Sequence, residues 1–405
     1  MHPNYSLSTP SVELLSAMQL RNVNEPLFPN LISLFFRRIE EPSIPFFFLF
    51  LSPRITSIHI GFRYTPSKVA IVSVITTLPK RCPNLQTIGL RPLPRDPVIT
   101  ASVSRMLLAT NWDTLQALYV NSPLTEEANN VLYKLPNLRD LSVVIERATP
   151  LPSASLPNLT ELSIECDDDG SWPELFRRAT LGKLESIVFG IQSEQIGNFL
   201  EVFERAALSC SIQNTLSELY FSTSSSWNPN YSSLLPFTRL VDLVVRFSCS
   251  NVCSSTLDDD IIVDLPQAMP KLELLRLSDD PCGEPTAGVT TKGLMALARH
   301  CPNLDFLCIH FQATSLCAPP TGPGMTPDTD STIIRTDCTL THLVLGKMPV
   351  PEGSASTVAQ TLLCIFPRIE TIEFINEGWK EVESAILNSR RIDDHPGKKR
   401  TLTTC

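Results

Sequence analysis

Seven acidic residues recur at one place in a repeated sequence pattern, where they are suited to bind a basic partner. Each lies between the first two leucine-like residues of an L-x-x-L-x-L segment, in seven consecutive copies: Asp140, Glu161, Glu185, Glu218, Asp242, Glu273 and Asp305. If these segments are neighbouring strands about 4.8 Å apart, the carboxylates form a row that a basic partner can cross. The alternative is a solvated face, since exposed strand positions are commonly polar, and Arg139, Arg246 and Arg276 can neutralise part of the charge.

Two tyrosines, Tyr119 and Tyr220, lie between apolar residues in the same pattern. Alternation along a strand places them on the face that carries the acids. Tyrosine is enriched at protein interfaces because it combines a large apolar ring with a polar hydroxyl. We therefore add both to the predicted partner-binding residues.

Cysteine and histidine cluster once, as His300, Cys301, Cys308 and His310, and these are zinc ligand types. Cys301 is expected at a helix end, while Cys308 and His310 lie on the next strand and face away from the core that Cys301 enters. We therefore interpret Cys301 as a buried helix-end cysteine and predict no metal. The same interpretation applies to the single C-x3-C pair at residues 249 and 253.

The remaining charged runs have ordinary explanations beside their functional ones. Residues 167–169 and 258–260 are all aspartate and could bind a cation, but such runs are more often solvated turns or helix N-terminal charges. Residues 398–400 (Lys-Lys-Arg) suit either a nuclear signal or a soluble tail. The sequence contains no nucleophile elbow, phosphate-binding loop or dinucleotide fingerprint, so we predict neither an enzyme nor a cofactor.

The elements that must position these residues follow from an internal repeat. Leu-Pro-Asn-Leu begins at residues 135 and 156, and Cys-Pro-Asn-Leu begins at residues 82 and 301. Weaker copies of the L-x-x-L-x-L segment begin at Leu31, Ile55, Leu115, Leu184, Leu216, Leu240, Leu272, Leu340 and Ile369. The roughly thirteen units have a mean spacing of about 28 residues, within the leucine-rich-repeat range.

This pattern predicts an α/β leucine-rich-repeat solenoid, a horseshoe of irregular repeats. The alternating part of each unit forms a strand of a parallel, concave sheet, and a helix or irregular segment returns the chain along the convex side. Return helices are expected at residues 66–78, 193–208, 290–301 and 377–391, where apolar residues recur at helical spacing. In the last of these, Trp379, Val382 and Ile386 are expected to cover the final strand.

The predicted organisation has four parts. Residues 1–26 form a partial N-terminal repeat with a return helix at 11–20, and residues 27–376 form the repeat domain. Residues 312–338, rich in Thr, Pro, Gly and Asp, are expected to be a loop insertion, and residues 222–233 a smaller one. A capping helix at 377–392 precedes a disordered tail at 393–405.

Composition limits the partners and the compartment. The net charge of −9 argues against nucleic acid or an anionic membrane as the main partner, because both require a basic face. The densest apolar run, at residues 44–51, is far shorter than the about 20 residues of a membrane-spanning helix. The twelve cysteines are spread along the chain and no signal peptide is evident, so we expect a cytoplasmic or nuclear protein.

A family resemblance gives this pattern a function. Residues 289–309, with a threonine where a helix starts and a cysteine where it ends, resemble the cysteine-containing leucine-rich repeats, many of which belong to F-box proteins. The Leu-Pro-Asn-Leu spacing and residues 48–58 are similar to fungal F-box/leucine-rich-repeat proteins. The resemblance implies protein–protein recognition on the concave face, as in a substrate receptor of a cullin–RING ubiquitin ligase.

The F-box that docks the Skp-type adaptor is itself missing, because too few residues precede Leu27. We therefore expect adaptor binding only if an F-box lies upstream. The alternative function is a leucine-rich-repeat scaffold with no link to ubiquitin.

Overall fold

The chain forms two compact units, comprising residues 1–184 (unit 1) and 185–405 (unit 2). The computed structural model describes residues 27–62, 67–110, 112–145, 154–166, 172–192, 198–223, 229–247, 257–277, 288–317, 336–345, 349–374 and 377–393. The predictions for residues 11–20, 167–169, 249, 253 and 398–400 lie outside these residues, as does most of the predicted insertion and tail. No helix among the described residues is both long enough and apolar enough to span a membrane.

Unit 1 contains a parallel sheet with strands in the order β1-β2-β3-β4-β5-β7. The strands are β1 (Ser33–Ile39), β2 (Ser57–Phe62), β3 (Thr87–Leu90), β4 (Ala117–Pro123), β5 (Asp140–Ile145) and β7 (Glu161–Cys166). Short strands β6 (Ala154–Ser155) and β8 (Ala179–Thr180) pair with each other. The helices are α1 (Ile44–Phe50), α2 (Lys68–Arg81), α3 (Pro97–Leu108), α4 (Glu126–Leu132) and α5 (Trp172–Arg178).

Unit 2 repeats this construction, with strands in the order β9-β10-β11-β12-β13-β14-β15. The strands are β9 (Ser186–Ile191), β10 (Glu218–Thr223), β11 (Asp242–Phe247), β12 (Leu274–Leu277), β13 (Phe306–Cys308), β14 (His342–Leu345) and β15 (Thr371–Phe374). The helices are α6 (Phe199–Ser209), α7 (Asp259–Ala268), α8 (Thr291–His300), α9 (Ala355–Ile365) and α10 (Trp379–Asp393).

The sheet strands coincide with the predicted repeat. Each of the thirteen begins two residues after the first leucine-like residue of its L-x-x-L-x-L segment, as β7 does after Leu159. Leu159, Leu162 and Ile164 are all buried, so the pattern places its apolar residues on the covered side of the strand. The predicted α/β class with a parallel sheet is therefore confirmed.

The asparagine of the Pro-Asn pair joins one repeat to the one before it. The side-chain amides of Asn84, Asn137 and Asn158 donate to the backbone oxygens of Pro53, Asp113 and Pro136 at 3.1, 2.7 and 2.8 Å, respectively. Each bond satisfies a carbonyl in the turn before the preceding strand. This contact explains why asparagine recurs beside the buried leucine.

The predicted helix at 290–301 is confirmed in detail. Thr290 caps α8 by accepting a hydrogen bond from Lys292 N at 3.2 Å, and Cys301 follows its last turn. Two residues of the aspartate run at 258–260 also cap helices: Asp258 accepts from Ile261 N, and Asp259 accepts from Thr290 N at 2.7 Å. Because capping uses these oxygens, the run has a structural explanation.

Three boundaries differ from the prediction. Helix α6 begins at Phe199, because Asn198, which lies inside the predicted helix, is non-helical; the predicted residues 193–197 lie outside the described residues. Residues 222 and 223 complete β10, and Tyr231–Leu234 forms a 3-10 turn whose buried Tyr231 packs inside, so residues 222–233 are not one surface loop. The start of the predicted insertion is a second such turn, Ala313–Leu316, which is held to the covered side by two buried apolar residues.

The C-terminal helix α10 matches the prediction made for residues 377–391. Trp379, Val382 and Ile386 are all buried. The Trp379 ring meets Phe311 edge to face, with centroids 6.1 Å apart. The apolar stripe that the spacing predicted is therefore the packed face of this helix.

Candidate functional site

The candidate site is the side of each sheet that faces away from the buried leucines, which we call the open face. In β7, Leu162 and Ile164 are buried, whereas Glu161 is exposed and Ser163 and Glu165 are half-buried. In β10, Glu218 and Tyr220 are half-buried and alternate with buried neighbours in the same way. Polar and aromatic side chains thus share a surface that the apolar core does not use.

The seven predicted acids do not form one continuous row. Four occupy the first strand position, and they form two pairs directly opposite each other on adjacent strands: Asp140 with Glu161, and Glu218 with Asp242. The other three, Glu185, Glu273 and Asp305, are exposed and lie one residue before their strands. Backbone bonds fix this offset, because the Glu273 carbonyl accepts from Asp305 N at 2.8 Å and from Phe306 N at 3.0 Å.

Among the described residues, each unit contains one Tyr–Asp pair on its open face. The Tyr119 hydroxyl donates to Asp140 Oδ2 at 3.2 Å, and the Tyr220 hydroxyl donates to Asp242 Oδ2 at 2.8 Å. In both pairs the tyrosine is the third residue of one strand, and the aspartate is the first residue of the next. All four residues were predicted to bind a partner, and the structure brings them together in pairs.

Burial and the neighbouring carboxylate keep both phenols protonated. Burial first, and then the charge and hydrogen bond of Asp140, raise the pKa of Tyr119 to about 12. Burial and the hydrogen bond to Asp242 likewise raise the pKa of Tyr220. Each tyrosine is therefore a fixed donor that holds one aspartate oxygen at neutral pH.

A row of aromatic rings crosses the open face of unit 1. The rings of Phe35 and His59 have centroids 5.8 Å apart, and those of His59 and Tyr119 have centroids 5.9 Å apart. Gly89 lies between His59 and Tyr119 in register, and a Cβ at Gly89 would come within 2.5 Å of His59 Nδ1. Because Gly89 has no side chain, the imidazole of His59 can reach across β3 to Tyr119. Burial lowers the pKa of His59, which favours the neutral ring.

Arg91 completes the cluster in unit 1. Its guanidinium carbon lies 5.6 Å from the centroid of the Tyr119 ring, within cation–π range. Burial lowers the pKa of Arg91, and the negative charge of Glu165 partly offsets this effect. Nε and Nη2 are shielded from solvent and have no hydrogen-bond partner among the described residues.

Unit 2 has an arginine–aromatic group of its own. The guanidinium carbon of Arg276 lies 6.0 Å from the Phe306 ring centroid, and Phe306 stacks on His342 with centroids 6.5 Å apart. Thr341 donates to Asp305 at 2.5 Å and shares a contact of 2.8 Å with His342 Nδ1. Cation–π contacts and hydrogen-bonded carboxylates are thus found on both open faces.

The cysteines of the predicted His/Cys cluster are packed in the interior. Cys301 and Cys308 are both buried, and burial, with the nearby Cys338, raises the pKa of Cys301 to about 12. A thiol with this pKa is protonated at neutral pH and is therefore a poor nucleophile. Across the residues that the structure describes, no three His, Cys, Asp or Glu side chains converge as metal ligands would.

Sequence reasoning missed Phe35, His59, Gly89 and Arg91. The available signal was their place in the repeat, since Phe35, His59 and Gly89 are each the third residue of their strand, as Tyr119 is. Neither the family models nor the curated proteins compared with this chain gave a match.

Proposed function

We propose that this chain is a leucine-rich-repeat recognition protein that binds another protein across its open face. The observation that carries the proposal is the Tyr–Asp pair, which occurs at equivalent strand positions in the described part of each unit. A half-buried tyrosine and an oriented carboxylate supply apolar area and a directed acceptor, and protein interfaces favour this combination. A horseshoe with a concave binding sheet is part of the same proposal.

The acids favour a partner with basic side chains. Asp140 and Glu161 stand opposite each other on adjacent strands, as do Glu218 and Asp242. Like charges in this arrangement repel, typically by a few tenths of a kcal/mol to about 1 kcal/mol. A lysine or arginine of the partner placed between them relieves the repulsion, and association becomes faster at low ionic strength.

A narrower function rests on the sequence resemblance. If the chain acts as F-box-type receptors do, the protein held on the open face is a substrate delivered to a cullin–RING ubiquitin ligase. The alternative is a scaffold that binds its partner without any ligase. The proteins captured with the partner distinguish the two, because only a receptor brings ligase subunits with it.

The test is an affinity capture with the full chain, scored by mass spectrometry over a series of salt concentrations. One variant reverses an acid in each unit, Glu161→Lys with Glu218→Lys. The matched control, Glu127→Lys with Asp264→Lys, makes the same charge change at exposed helix positions. Thermal melting of each variant ensures that only folded proteins are compared.

We expect the wild type and the helix control to capture the same proteins, and the open-face variant to lose them. The loss should be accompanied by nearly unchanged melting, since Glu161 is exposed, Glu218 is half-buried, and charges at such solvent-accessible positions contribute little to stability. Capture of the same proteins by all three forms, at the same salt tolerance, would refute recognition through the acids. Ligase subunits among the captured proteins favour the substrate receptor, and their absence favours the scaffold.

A further inference from the structure

We propose that the open face of unit 1 is polarised and binds an extended partner segment carrying an acidic side chain at Arg91, an apolar or aromatic side chain over His59 and Tyr119, and a basic side chain at Asp140. This inference rests on the proposed recognition function and adds the chemistry of the recognised segment. The acids alone call only for a basic group on the partner, whereas Arg91 calls for an acidic group as well.

The positive end of the face is Arg91, which follows β3 and lies over the ring of Tyr119. The Nε and Nη2 groups lack a hydrogen-bond acceptor among the described residues, yet the residue as a whole is only half-buried. A guanidinium in this state lacks the acceptors that normally accompany burial. A carboxylate is the best complement: once the half-buried side chain turns outwards and uncovers Nε and Nη2, it accepts two parallel N–H bonds from the guanidinium fork.

The negative end consists of Asp140 and Glu161, which are paired in register on β5 and β7. Tyr119 joins the two ends, since its ring lies beneath Arg91 and its hydroxyl is bonded to Asp140. The guanidinium carbon of Arg91 lies 5.6 Å from the Tyr119 ring centroid and the Tyr119 hydroxyl lies 3.2 Å from Asp140 Oδ2, so the two charged groups are within about 12 Å of each other. An extended chain covers this distance in about three to four residues.

Aromatic rings cover the face between and beside these charges. The Tyr119 ring on β4 lies between them, and the row continues through His59 on β2 to Phe35 on β1, which has 65% of its surface exposed. Because burial lowers the pKa of His59, its ring adds no second positive charge to the face at neutral pH. Ring surface between two opposite charges suits an aromatic or large aliphatic side chain whose sequence neighbours carry the opposite charges.

The experiment uses a displayed library of random dodecapeptides, selected on the immobilised full chain. The selections compare the wild type with Arg91→Glu, Arg91→Gln and the control Arg105→Glu. Arg105 is exposed on α3, so its reversal matches the charge change without touching the open face. Arg91→Gln removes the charge with less disturbance, and melting curves identify any variant that fails to fold.

We expect the wild type and Arg105→Glu to enrich peptides with an acidic and a basic residue about three positions apart around an apolar one. Arg91→Gln should lose the enrichment for acidic residues, and Arg91→Glu should replace them with lysine or arginine. For a synthetic peptide from the wild-type selection, changing its Glu to Gln should weaken binding about tenfold on wild type and less than about twofold on Arg91→Gln. A double-mutant cycle of this kind isolates the pairwise contact.

Two results overturn the inference, and they differ in what they imply for the proposed function. In the first, peptide binding depends on Glu161, but the peptides selected on wild type and on Arg91→Gln contain acidic residues equally often. This result would support recognition by the open face and rule out a role for Arg91. A wild-type selection without any enrichment, together with unchanged capture by the Glu161→Lys and Glu218→Lys variant, would remove both.

Discussion

Gly89→Ala tests the aromatic row of unit 1 directly. An ideal Cβ at this position lies 2.5 Å from His59 Nδ1 and 3.2 Å from His59 Cγ, whereas an ordinary contact is 3.4–4 Å. The imidazole must therefore retreat by about 1 Å, away from Tyr119. Gly89 lies in a regular strand, so alanine meets no backbone strain there.

Gly89→Ala is expected to change the free energy of unfolding only slightly, but to shift the pKa of His59 measurably. Overpacking a rigid core costs about 1–3 kcal/mol, but His59 is half-buried and able to rotate, and Gly→Ala recovers about 0.4–1 kcal/mol of chain entropy. We expect the free energy of unfolding to change by less than about 1 kcal/mol. The displaced ring is better hydrated, so the pKa of His59 should rise from its lowered value towards 6.5.

The sign of the pH effect follows from linkage. Because the pKa of His59 is lower in the folded chain, the unfolded chain binds more protons as pH falls through about 6.5, and the wild type loses stability there. Gly89→Ala should reduce that loss. The assay is an NMR titration of the histidine ring, assigned with His59→Gln, combined with calorimetry at several pH values.

Gly182→Ala is the matched control, since nothing lies within 4 Å of its Cβ. It should leave the titration of His59 unchanged. The described packing of His59 over Gly89 is wrong if the ring titrates identically in Gly89→Ala and wild type, or if the variant loses several kcal/mol.

Two further predictions concern the fold of each unit. Leu162, with 2% of its surface exposed, should not tolerate aspartate, because Leu162→Asp loses about 2–5 kcal/mol of packing and buries an unpaired carboxyl. Thermal melting should show unit 1 unfolding early, whereas Ser163→Asp on the open face should melt near wild type. Trp379→Ala should cost unit 2 about 3–5 kcal/mol by emptying its contact with Phe311, and Lys380→Ala, at an exposed position, should not. Equal melting of either variant and its control would contradict the described packing.

The strand positions were predictable because the signal is local. Leu159 and Leu162 flank two residues, and alternation from there fixes which side chains become buried. The same motif could not place the acids, because it has two intervening positions and both tolerate charge. Glu161 fills the second and lies in its strand, whereas Glu185 fills the first and precedes its strand. Their place in the motif becomes informative only once the structure shows that each strand starts at the second intervening position.

The candidate site was less predictable because its contacts cross strands. His59, Gly89 and Tyr119 are thirty residues apart in sequence, at 59, 89 and 119, and become neighbours only when the register is known. A glycine inside a strand indicates a bulge or a close approach, and this one permits a close approach by a side chain two strands from Tyr119. The pattern gives no indication of Arg91, which follows the end of β3.

The two sides of the sheet in unit 1 differ in what they contribute to stability. The covered side is apolar, with Leu141, Leu162 and Ile164 buried. The open side contains opposed carboxylates at Asp140 and Glu161, and an arginine with two shielded donors, which together cost on the order of 2–7 kcal/mol. That cost is a sizeable fraction of the about 5–15 kcal/mol that stabilises a typical domain. Local rules of packing are broken in proteins mainly where function requires it. A partner that supplies both a carboxylate and a basic group would remove both penalties at once. Its binding should therefore raise the melting temperature of unit 1 more than the binding of a partner that supplies only one of the two groups.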